Sequence, residues 1–278
     1  MTDIFELRRG PGTLLISVPH CGIRLMPGLE RRLAPSALAL PDTDWHVPRL
    51  YAFAEALGAS MISARFSRYV IDLNRPPDGA SLYPGQATTG LCPTTLFDGT
   101  PLYLPGQEPD EAEIAARREQ YWRPYHAALA AELARIRAGH GHALLFDAHS
   151  IASRVPRLFE GRLPDLNLGT ARGASCPAEI GARLLAAATG HGYSAVLDGR
   201  FVGGHITRHY GRPAEGVFAV QLELAQIAYM EEGPPFAYDE AKASCLVPVL
   251  KRILETYIAG GGGLVQTSSS SAPQRPSI

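Results

Sequence analysis

The sequence has few cysteines, no long apolar run and almost no net charge. Its four cysteines, Cys21, Cys92, Cys176 and Cys245, are scattered without a CxxC pair, which argues against a disulfide framework and against a thiolate zinc site. No uninterrupted apolar stretch approaches the roughly 18 residues that a spanning helix needs, and no signal peptide is recognisable. We therefore expect a cytoplasmic protein.

The charge balance argues against polyanionic partners. The 26 lysines and arginines nearly match the 27 aspartates and glutamates, and the formal net charge is -1, so no broad field for nucleic acid or anionic membranes is expected. The nucleotide-binding motifs GxGxxG and GxxxxGK[ST], the GxSxG elbow of serine hydrolases and the HExxH zinc motif are all absent. A small molecule is the expected partner, and the sequence does not indicate an oligomeric state.

Short apolar runs alternate with helical patterns along the chain. Near-continuous apolar runs, typical of strands covered on both faces, lie near 13–19, 60–65, 68–73, 142–148, 193–197 and 217–225. Helical patterns lie near 48–57, 111–138, 177–189 and 239–258. This alternation predicts a single-domain α/β protein with a mixed, mostly parallel sheet flanked by helices.

Local signals divide the chain further. The helical pattern 111–138 has Asp110 and Glu113 as a capping-box-like start and Gly139 as a stop, while Pro124 would kink or divide it. The segments 74–110 and 150–175 lack a regular pattern, and loops of this length are usually functional or disordered. From residue 260 the chain is rich in glycine and serine, so we expect a catalytic domain over 1–259 and a disordered tail over 260–278.

Polar side chains that could bind a metal or take part in catalysis follow or end several predicted strands. They are His20, Asn74, Arg75, Asp147, His149 and Glu223. Ligands of open α/β sheets gather at the carboxyl ends of strands, so these side chains are candidates for one site. Two imidazoles and one carboxylate are the usual three protein ligands of a catalytic zinc, with the fourth position open to water.

The carboxylate ligand is less clear from the residues alone. The segment "LPDTDWHVPRL" offers Asp42, Asp44 and His46 before the helix predicted near 48–57. Either aspartate could instead serve only as the N-cap of that helix. Glu223 is flanked by leucines, and a carboxylate is seldom fully buried alone. It is therefore expected to have a charged partner or a catalytic role. It could be a general base, or it could form a buried salt bridge with Arg208.

Arginines are candidates for holding an acidic substrate, because their forked guanidinium binds carboxylates bidentately. Arg68 and Arg75 lie seven residues apart across one predicted strand and would point to opposite faces if that strand is regular. The segment 203–213 is a glycine-flanked loop that could close over an anion, or it could be a flexible surface loop. It carries His205, Thr207, Arg208 and His209.

Long motifs resemble a known family. "SVPHCG", "LPDTDWHVPRLY", "SRYVIDLNRPPDGASLYPGQ", "FDAHSIASRVPRLFEGRLPDLNLGT" and "TRHYGRPAEGVFAVQLELAQ" together resemble the N-formylglutamate amidohydrolases, and the resemblance spans about 10–258. It implies a zinc-carboxypeptidase-like fold and hydrolysis of N-formyl-L-glutamate to L-glutamate and formate, the last step of a histidine-degradation route. Deacylation of another N-acyl acidic amino acid, or binding of such a compound without turnover, are the alternatives.

The resemblance also implies roles for individual residues. Ile23 stands where distantly similar carboxypeptidases and aspartoacylase carry a glutamate ligand, so the zinc ligands implied are His20, Asp44 and His149, with Asp42 as the alternative carboxylate. Glu223 would be the catalytic base. The residues expected to hold the substrate are Arg75 and Arg208, with help from Arg68, Asn74, Thr207 and His209. Mn²⁺, Fe²⁺ or Co²⁺ could replace Zn²⁺ at such ligands.

Overall fold

The structure is a computed structural model that describes residues 3–81 and 88–269. The strands within these ranges are β1 (Phe5–Arg8), β2 (Leu14–Val18), β3 (Ser60–Ala64), β4 (Ala143–Ile151), β5 (Leu166–Gly169), β6 (Ala195–Leu197) and β7 (Val217–Ala225). The α-helices are α1 (Val47–Leu50), α2 (Glu111–Arg117), α3 (Arg123–His140), α4 (Ala178–Ala188), α5 (His205–Tyr210) and α6 (Glu240–Ser269). Short 3-10 helices cover Leu29–Arg31, Pro35–Ala37, Ala52–Leu57, Pro213–Glu215 and Gln226–Ala228.

The described strands form one mixed sheet in the order β1-β3-β2-β4-β7-β5-β6. The four central strands β3, β2, β4 and β7 are parallel. Antiparallel pairs flank them, β1 with β3 and β5 with β7, and β6 runs parallel to β5. The predicted single α/β domain with a mostly parallel sheet between helices is confirmed.

The two central strands β4 and β7 are buried along their whole length because helices cover both faces of the sheet. Leu144 and Phe146 of β4 contact the apolar cluster that contains α4 and α6. Leu145 belongs to the opposite cluster, with α3 and with Ile206 of α5. Alternate residues of a strand therefore face opposite layers, as the pleat requires.

The face toward α3 and α5 changes from apolar to polar at the carboxyl ends of these strands. In β4 the series after Leu145 continues with Asp147 and His149, and in β7 the corresponding residues are Gln221 and Glu223. The ladder pairs Asp147 with Gln221 and His149 with Glu223. Because paired residues of parallel strands point to the same face, four polar side chains form a compact patch at this end of the sheet.

The apolar run 68–73 is not a strand, and that prediction is wrong. Its residues form turns in which the Val70 N–H donates to the Ser67 carbonyl oxygen. Val70 and Ile71 are buried in the cluster on the α3 side, so the hydrophobicity reflects burial without sheet pairing. The expectation that Arg68 and Arg75 point to opposite faces of a strand fails with it. The strands β1 and β5 have no counterpart among the predicted strands.

The helix predicted over 111–138 is divided into α2 and α3 by a π-helical turn at Arg118–Trp122, which ends two residues before Pro124. The Glu113 N–H donates to the Asp110 carboxylate at 2.8 Å, as the capping pattern predicts. The end comes at His140, one residue after the predicted stop at Gly139, because Gly141 adopts the left-handed conformation (φ 77°) that closes a helix.

Helix α6 continues through Ser269, ten residues into the segment for which the sequence predicts a disordered tail. Gly260 and Gly261 are buried, and a Cβ atom on Gly261 would lie 2.7 Å from Leu144 Cδ2, so the absence of a side chain lets the helix lie against the sheet. The rest of that tail, 270–278, and positions 82–87 of the predicted long loop lie outside the described residues. Among the described helices, none combines the length and the apolar character that a bilayer crossing requires.

Candidate metal centre and adjoining cleft

Two separate segments bring His20 and Asp44 together at the carboxyl end of the sheet. His20 follows β2, and its carbonyl oxygen accepts a hydrogen bond from the Asp44 N–H at 3.1 Å. The segment around Asp44 is held from its other side by the 3-10 helix Gln226–Ala228 and by Tyr229, which follow β7. Gln226 Nε2 donates to the Thr43 carbonyl oxygen at 2.9 Å, and the Tyr229 hydroxyl donates to the Trp45 carbonyl oxygen at 2.8 Å.

The side chains of His20, Asp44 and His149 each offer one ligand atom, and these atoms lie within 4.8 Å of one another. Asp44 Oδ2 is 3.0 Å from His149 Nδ1 and 3.7 Å from His20 Nδ1. All three side chains are at most 3% exposed. The three side chains implied as metal ligands therefore converge, although they come from three remote parts of the sequence.

Each imidazole has a carboxylate next to its Nε2 atom. His20 Nε2 lies 2.7 Å from Asp72 Oδ1, and His149 Nε2 lies 3.0 Å from Asp147 Oδ2. In the neutral form of each ring, a protonated Nε2 that donates to its carboxylate leaves the lone pair on Nδ1, which is the tautomer that a metal at Nδ1 needs. Asp147 is among the candidate site residues that the sequence predicts, whereas Asp72 is not.

The charges of the centre favour a cation. Four carboxyl groups, those of Asp44, Asp72, Asp147 and Glu223, are buried here. The buried Arg68 binds Asp72 Oδ2 at 2.6 Å and lies 4.0 Å from Asp44 Oδ1, and the partly buried Arg75 lies 3.9 Å from Asp72 Oδ2. Buried carboxylates in excess of cations are costly unless a further positive charge compensates them.

The two histidines respond oppositely to this environment. Burial lowers the pKa of His20, and the positive charge of Arg68 lowers it further. Burial also acts to lower the pKa of His149, but the charges of Asp147 and Asp44 outweigh burial and raise that pKa well above its usual value. For Asp72, burial acts to raise the pKa, yet the charges of Arg75 and His20 hold the pKa well below its ordinary range.

The structure separates Asp42 from this centre. The Asp42 carboxylate accepts the backbone N–H of Phe97 at 3.0 Å, and burial raises the pKa of Asp42 to about 6. Neither Asp42 nor Asp44 caps α1, because that helix begins after His46, which lies in the left-handed region (φ 61°). Asp44 rather than Asp42 is therefore the carboxylate that faces the two histidines.

Glu223 lies beside His149, one strand away. Its Oε2 accepts a hydrogen bond from Gln221 Nε2 at 3.4 Å. Burial raises the pKa of Glu223 to about 8, with the negative charge of Asp44 adding to the effect and the charge of His149 opposing it. A carboxylate with such a pKa is suited to accept and return a proton near neutral pH.

A cleft opens directly over these groups. Its lining includes His20, Arg68, Asn74, Arg75, Thr89, Phe97, His149, Arg200, Phe201, Gln221 and Glu223. Arg75 is held by Thr89, whose carbonyl oxygen accepts from Nε at 2.9 Å and whose hydroxyl accepts from Nη2 at 3.0 Å. The Arg68 guanidinium lies 4.6 Å from the centre of the Phe97 ring.

The segment 203–213 differs from the prediction. It contains the helix α5 instead of a closing loop, and Thr207, Arg208 and His209 do not line the cleft. Thr207 is buried, His209 is exposed, and Arg208 lines a separate depression with Arg172. The structure thus does not bring these three predicted substrate contacts to the site.

Arg200 occupies the cleft instead, and sequence reasoning missed it. It follows β6, and its Nε donates to the Leu158 carbonyl oxygen at 2.7 Å, which orients the guanidinium plane. Gln221, two residues before Glu223, was also missed. Its alternation with Glu223 along a predicted strand was the signal that could have found it.

The chain is a single α/β domain with a candidate metal centre and a polar cleft at the carboxyl ends of its central parallel strands. A sequence profile of the N-formylglutamate amidohydrolases matches residues 12–230. N-formylglutamate deformylase of Pseudomonas aeruginosa PAO1 is 55% identical over 262 residues, which are 94% of this chain and 98% of that protein. The Pseudomonas putida protein of the same name is 53% identical, with the same coverage.

A solved structure agrees with the fold. The crystal structure of N-formylglutamate amidohydrolase from Ralstonia eutropha JMP134 superposes with a TM-score of 0.78 at 23% identity, over 95% of this chain and 99% of that one. The chain belongs to the N-formylglutamate amidohydrolase family.

Proposed function

We propose that this chain catalyses the metal-dependent hydrolysis of N-formyl-L-glutamate to L-glutamate and formate. One observation carries the proposal. The Nδ1 atoms of His20 and His149 face Asp44 Oδ2, a carboxylate stands behind each ring, and Glu223 adjoins them under a cleft that contains arginines. The printed names of the two Pseudomonas relatives support the choice of substrate.

His20, Asp44 and His149 would hold the metal. Two imidazoles and a carboxylate match the ligand preference of Zn²⁺, and Mn²⁺, Fe²⁺ or Co²⁺ can use the same set. Asp44, Asp72 and Asp147 are buried around this position, and their charges would favour a divalent cation there. When bound, such an ion supplies a Lewis acid that polarises a carbonyl oxygen and lowers the pKa of water.

The reaction needs a proton carrier, and Glu223 is placed for that role. It would take a proton from the water that attacks the formyl carbon and return the proton to the departing glutamate nitrogen as the C–N bond breaks. Formate and the free amine are then the products. The raised pKa of Glu223 suits both halves of this transfer.

Arginines of the cleft would hold the two carboxylates of the substrate. Arg75 and Arg200 come from different walls, since Arg75 is held by Thr89 and Arg200 by the Leu158 carbonyl oxygen. Arg68 is bonded to Asp72 and would act from the floor of the cleft. We further propose a cytoplasmic location and a place as the last step of histidine degradation, both on the family resemblance.

Formate release tests the proposal. The purified protein, stripped with a chelator and reloaded with Zn²⁺, Mn²⁺, Fe²⁺ or Co²⁺, should release formate from N-formyl-L-glutamate in a metal-dependent manner. N-formyl-L-aspartate and N-acetyl-L-glutamate serve as matched substrates. Faster turnover of either would identify a deacylase of another N-acyl acidic amino acid. Tight binding of glutamate derivatives without turnover under any metal would identify a binding protein.

A further inference from the structure

Two amide side chains bind the start of α5. The Ile206 N–H donates to Asn74 Oδ1 at 2.8 Å, and the Gly204 N–H donates to Gln221 Oε1 at 2.7 Å. The first N–H groups of a helix have no partner within the helix. The two amide oxygens therefore satisfy buried donors at this helix end, and these contacts also fix which amide atom is oxygen and which is nitrogen.

The nitrogen atoms of the same amides point to the candidate centre. Asn74 Nδ2 donates to Asp147 Oδ2 at 3.1 Å and lies 2.9 Å from His149 Nε2. Gln221 Nε2 donates to Glu223 Oε2 at 3.4 Å. One amide thus joins α5 to the pair formed by Asp147 and His149, and the other joins α5 to Glu223.

The contacts of Asn74 differ from those expected of a substrate-binding residue. Its side chain is 3% exposed, and both its amide oxygen and its amide nitrogen are bonded within the protein. Its backbone N–H donates to Asp72 Oδ1 at 2.8 Å. A Cβ atom at Gly204 would lie 2.4 Å from Asn74 Nδ2, so this arrangement requires a glycine there.

We propose that Asn74 and Gln221 are positioning residues that share α5 as their anchor. Asn74 fixes Asp147, which in turn holds the His149 ring with Nδ1 toward Asp44. Gln221 fixes the carboxylate of Glu223. This inference rests on the proposed function, and it replaces the role of Asn74 as a substrate contact that the family resemblance implies.

Two measurements on alanine variants separate these roles. Asn74→Ala should raise the Kd for Zn²⁺ of the stripped protein about 10- to 100-fold, measured by competition with a chromogenic chelator, and leave KM unchanged at saturating Zn²⁺. Gln221→Ala should leave that Kd unchanged and lower kcat by up to about 100-fold through misplacement of Glu223, again without a change in KM.

Further variants exclude a mere loss of folding. Gly204→Ala keeps Asn74 but displaces its amide, and it should raise the Zn²⁺ Kd as Asn74→Ala does. Ser175→Ala is the control, because Ser175 is buried beside Gly211 at the other end of α5 and its hydroxyl binds the Ala219 carbonyl oxygen. It should change neither Kd, kcat nor KM, and all variants are compared by thermal unfolding.

The outcomes distinguish this inference from the proposed function. If Asn74→Ala raises KM and leaves the Zn²⁺ Kd unchanged, Asn74 contacts the substrate, and its proposed role in positioning Asp147 is wrong. If Gln221→Ala leaves kcat unchanged, the proposed role of Gln221 in positioning Glu223 is wrong. If the wild-type protein releases no formate with any metal, the proposed function fails, while the Zn²⁺ Kd values still decide the role of Asn74.

Discussion

His149 and Glu223 are direct partners in the parallel ladder between β4 and β7, so the ring and the carboxylate emerge side by side on one face of the sheet. Two rigid central strands therefore set the position of the expected base relative to an expected metal ligand. Sites built on such strands hold their geometry more precisely than sites on loops.

Replacing the base should separate metal binding from turnover. Glu223→Gln should lower kcat for N-formyl-L-glutamate by about 10²–10⁴-fold, because the amide cannot accept the proton. The bound metal, measured by elemental analysis, should stay at the wild-type level, since Glu223 is not among the three converging ligand side chains. Glu231→Gln, at an exposed residue, is the control. Wild-type kcat in Glu223→Gln would remove Glu223 from the reaction.

The two aspartates of "DTDW" should differ in their effect on the metal. Asp44→Asn should weaken Zn²⁺ binding by more than the roughly 10- to 100-fold that loss of a residue behind a ligand costs, because it removes a facing carboxylate. Asp42→Asn should leave the affinity close to wild type, since Asp42 binds the Phe97 N–H instead. Competition with a chromogenic chelator measures both affinities. The reverse order would assign the metal to Asp42.

Arg200 and Arg208 are the two candidates for binding the second carboxylate of the substrate. Arg200→Gln should raise KM about 10- to 150-fold, which corresponds to the loss of about 1.5–3 kcal/mol from a hydrogen bond between charged groups. Arg208→Gln should leave KM near wild type because Arg208 lines a different depression. Steady-state kinetics with N-formyl-L-glutamate decide between them. A raised KM in Arg208→Gln alone would restore the role that the family resemblance implies for Arg208.

Part of this organisation is readable from the sequence. The runs that became β2, β3, β4 and β7 are apolar because both faces of the sheet are covered there, while the edge strand β6 is only half-buried. The polar residues that follow or end β2, β4 and β7 mark one edge of the sheet. The run 68–73 is equally apolar, but for a different reason. Val70 is fully buried in a turn, and hydrophobicity alone does not distinguish a buried turn from a buried strand.

The arginines show where local patterns fail. Arg208 lies between glycines in a segment that suggests a loop, yet six residues there form α5 and carry Arg208 away from the cleft. Arg200 follows the short strand β6, and its role depends on the contact with the Leu158 carbonyl oxygen, 42 residues away. Such contacts follow from the packing of remote segments, which periodicity and turn signals do not encode.

Acid should weaken the fold through Glu132, a side chain far from the cleft. Glu132 is 1% exposed on α3, and burial alone would raise its pKa. Hydrogen bonds from Arg135 and Ser60 outweigh burial and lower the pKa to about 2 from an ordinary value of 4.5. Because the folded pKa is the lower one, the stabilisation is complete above about pH 4.5 and is lost as the pH falls toward 2.

Glu132→Gln should therefore reduce the free energy of unfolding at pH 7 by about 1–2 kcal/mol. This is less than about 1.4 kcal/mol for each pKa unit would give, because solvent screens the exposed partners Arg9 and Arg135. The difference from wild type should shrink between about pH 4.5 and pH 2, where the wild-type carboxylate becomes protonated. Urea unfolding of both proteins at pH 7 and at pH 3 measures this difference in the free energy of unfolding. Glu119→Gln, which removes a surface pair with Arg123, should cost at most about 1 kcal/mol at either pH. A difference for Glu132→Gln that does not depend on pH would show that the carboxylate charge contributes nothing to stability.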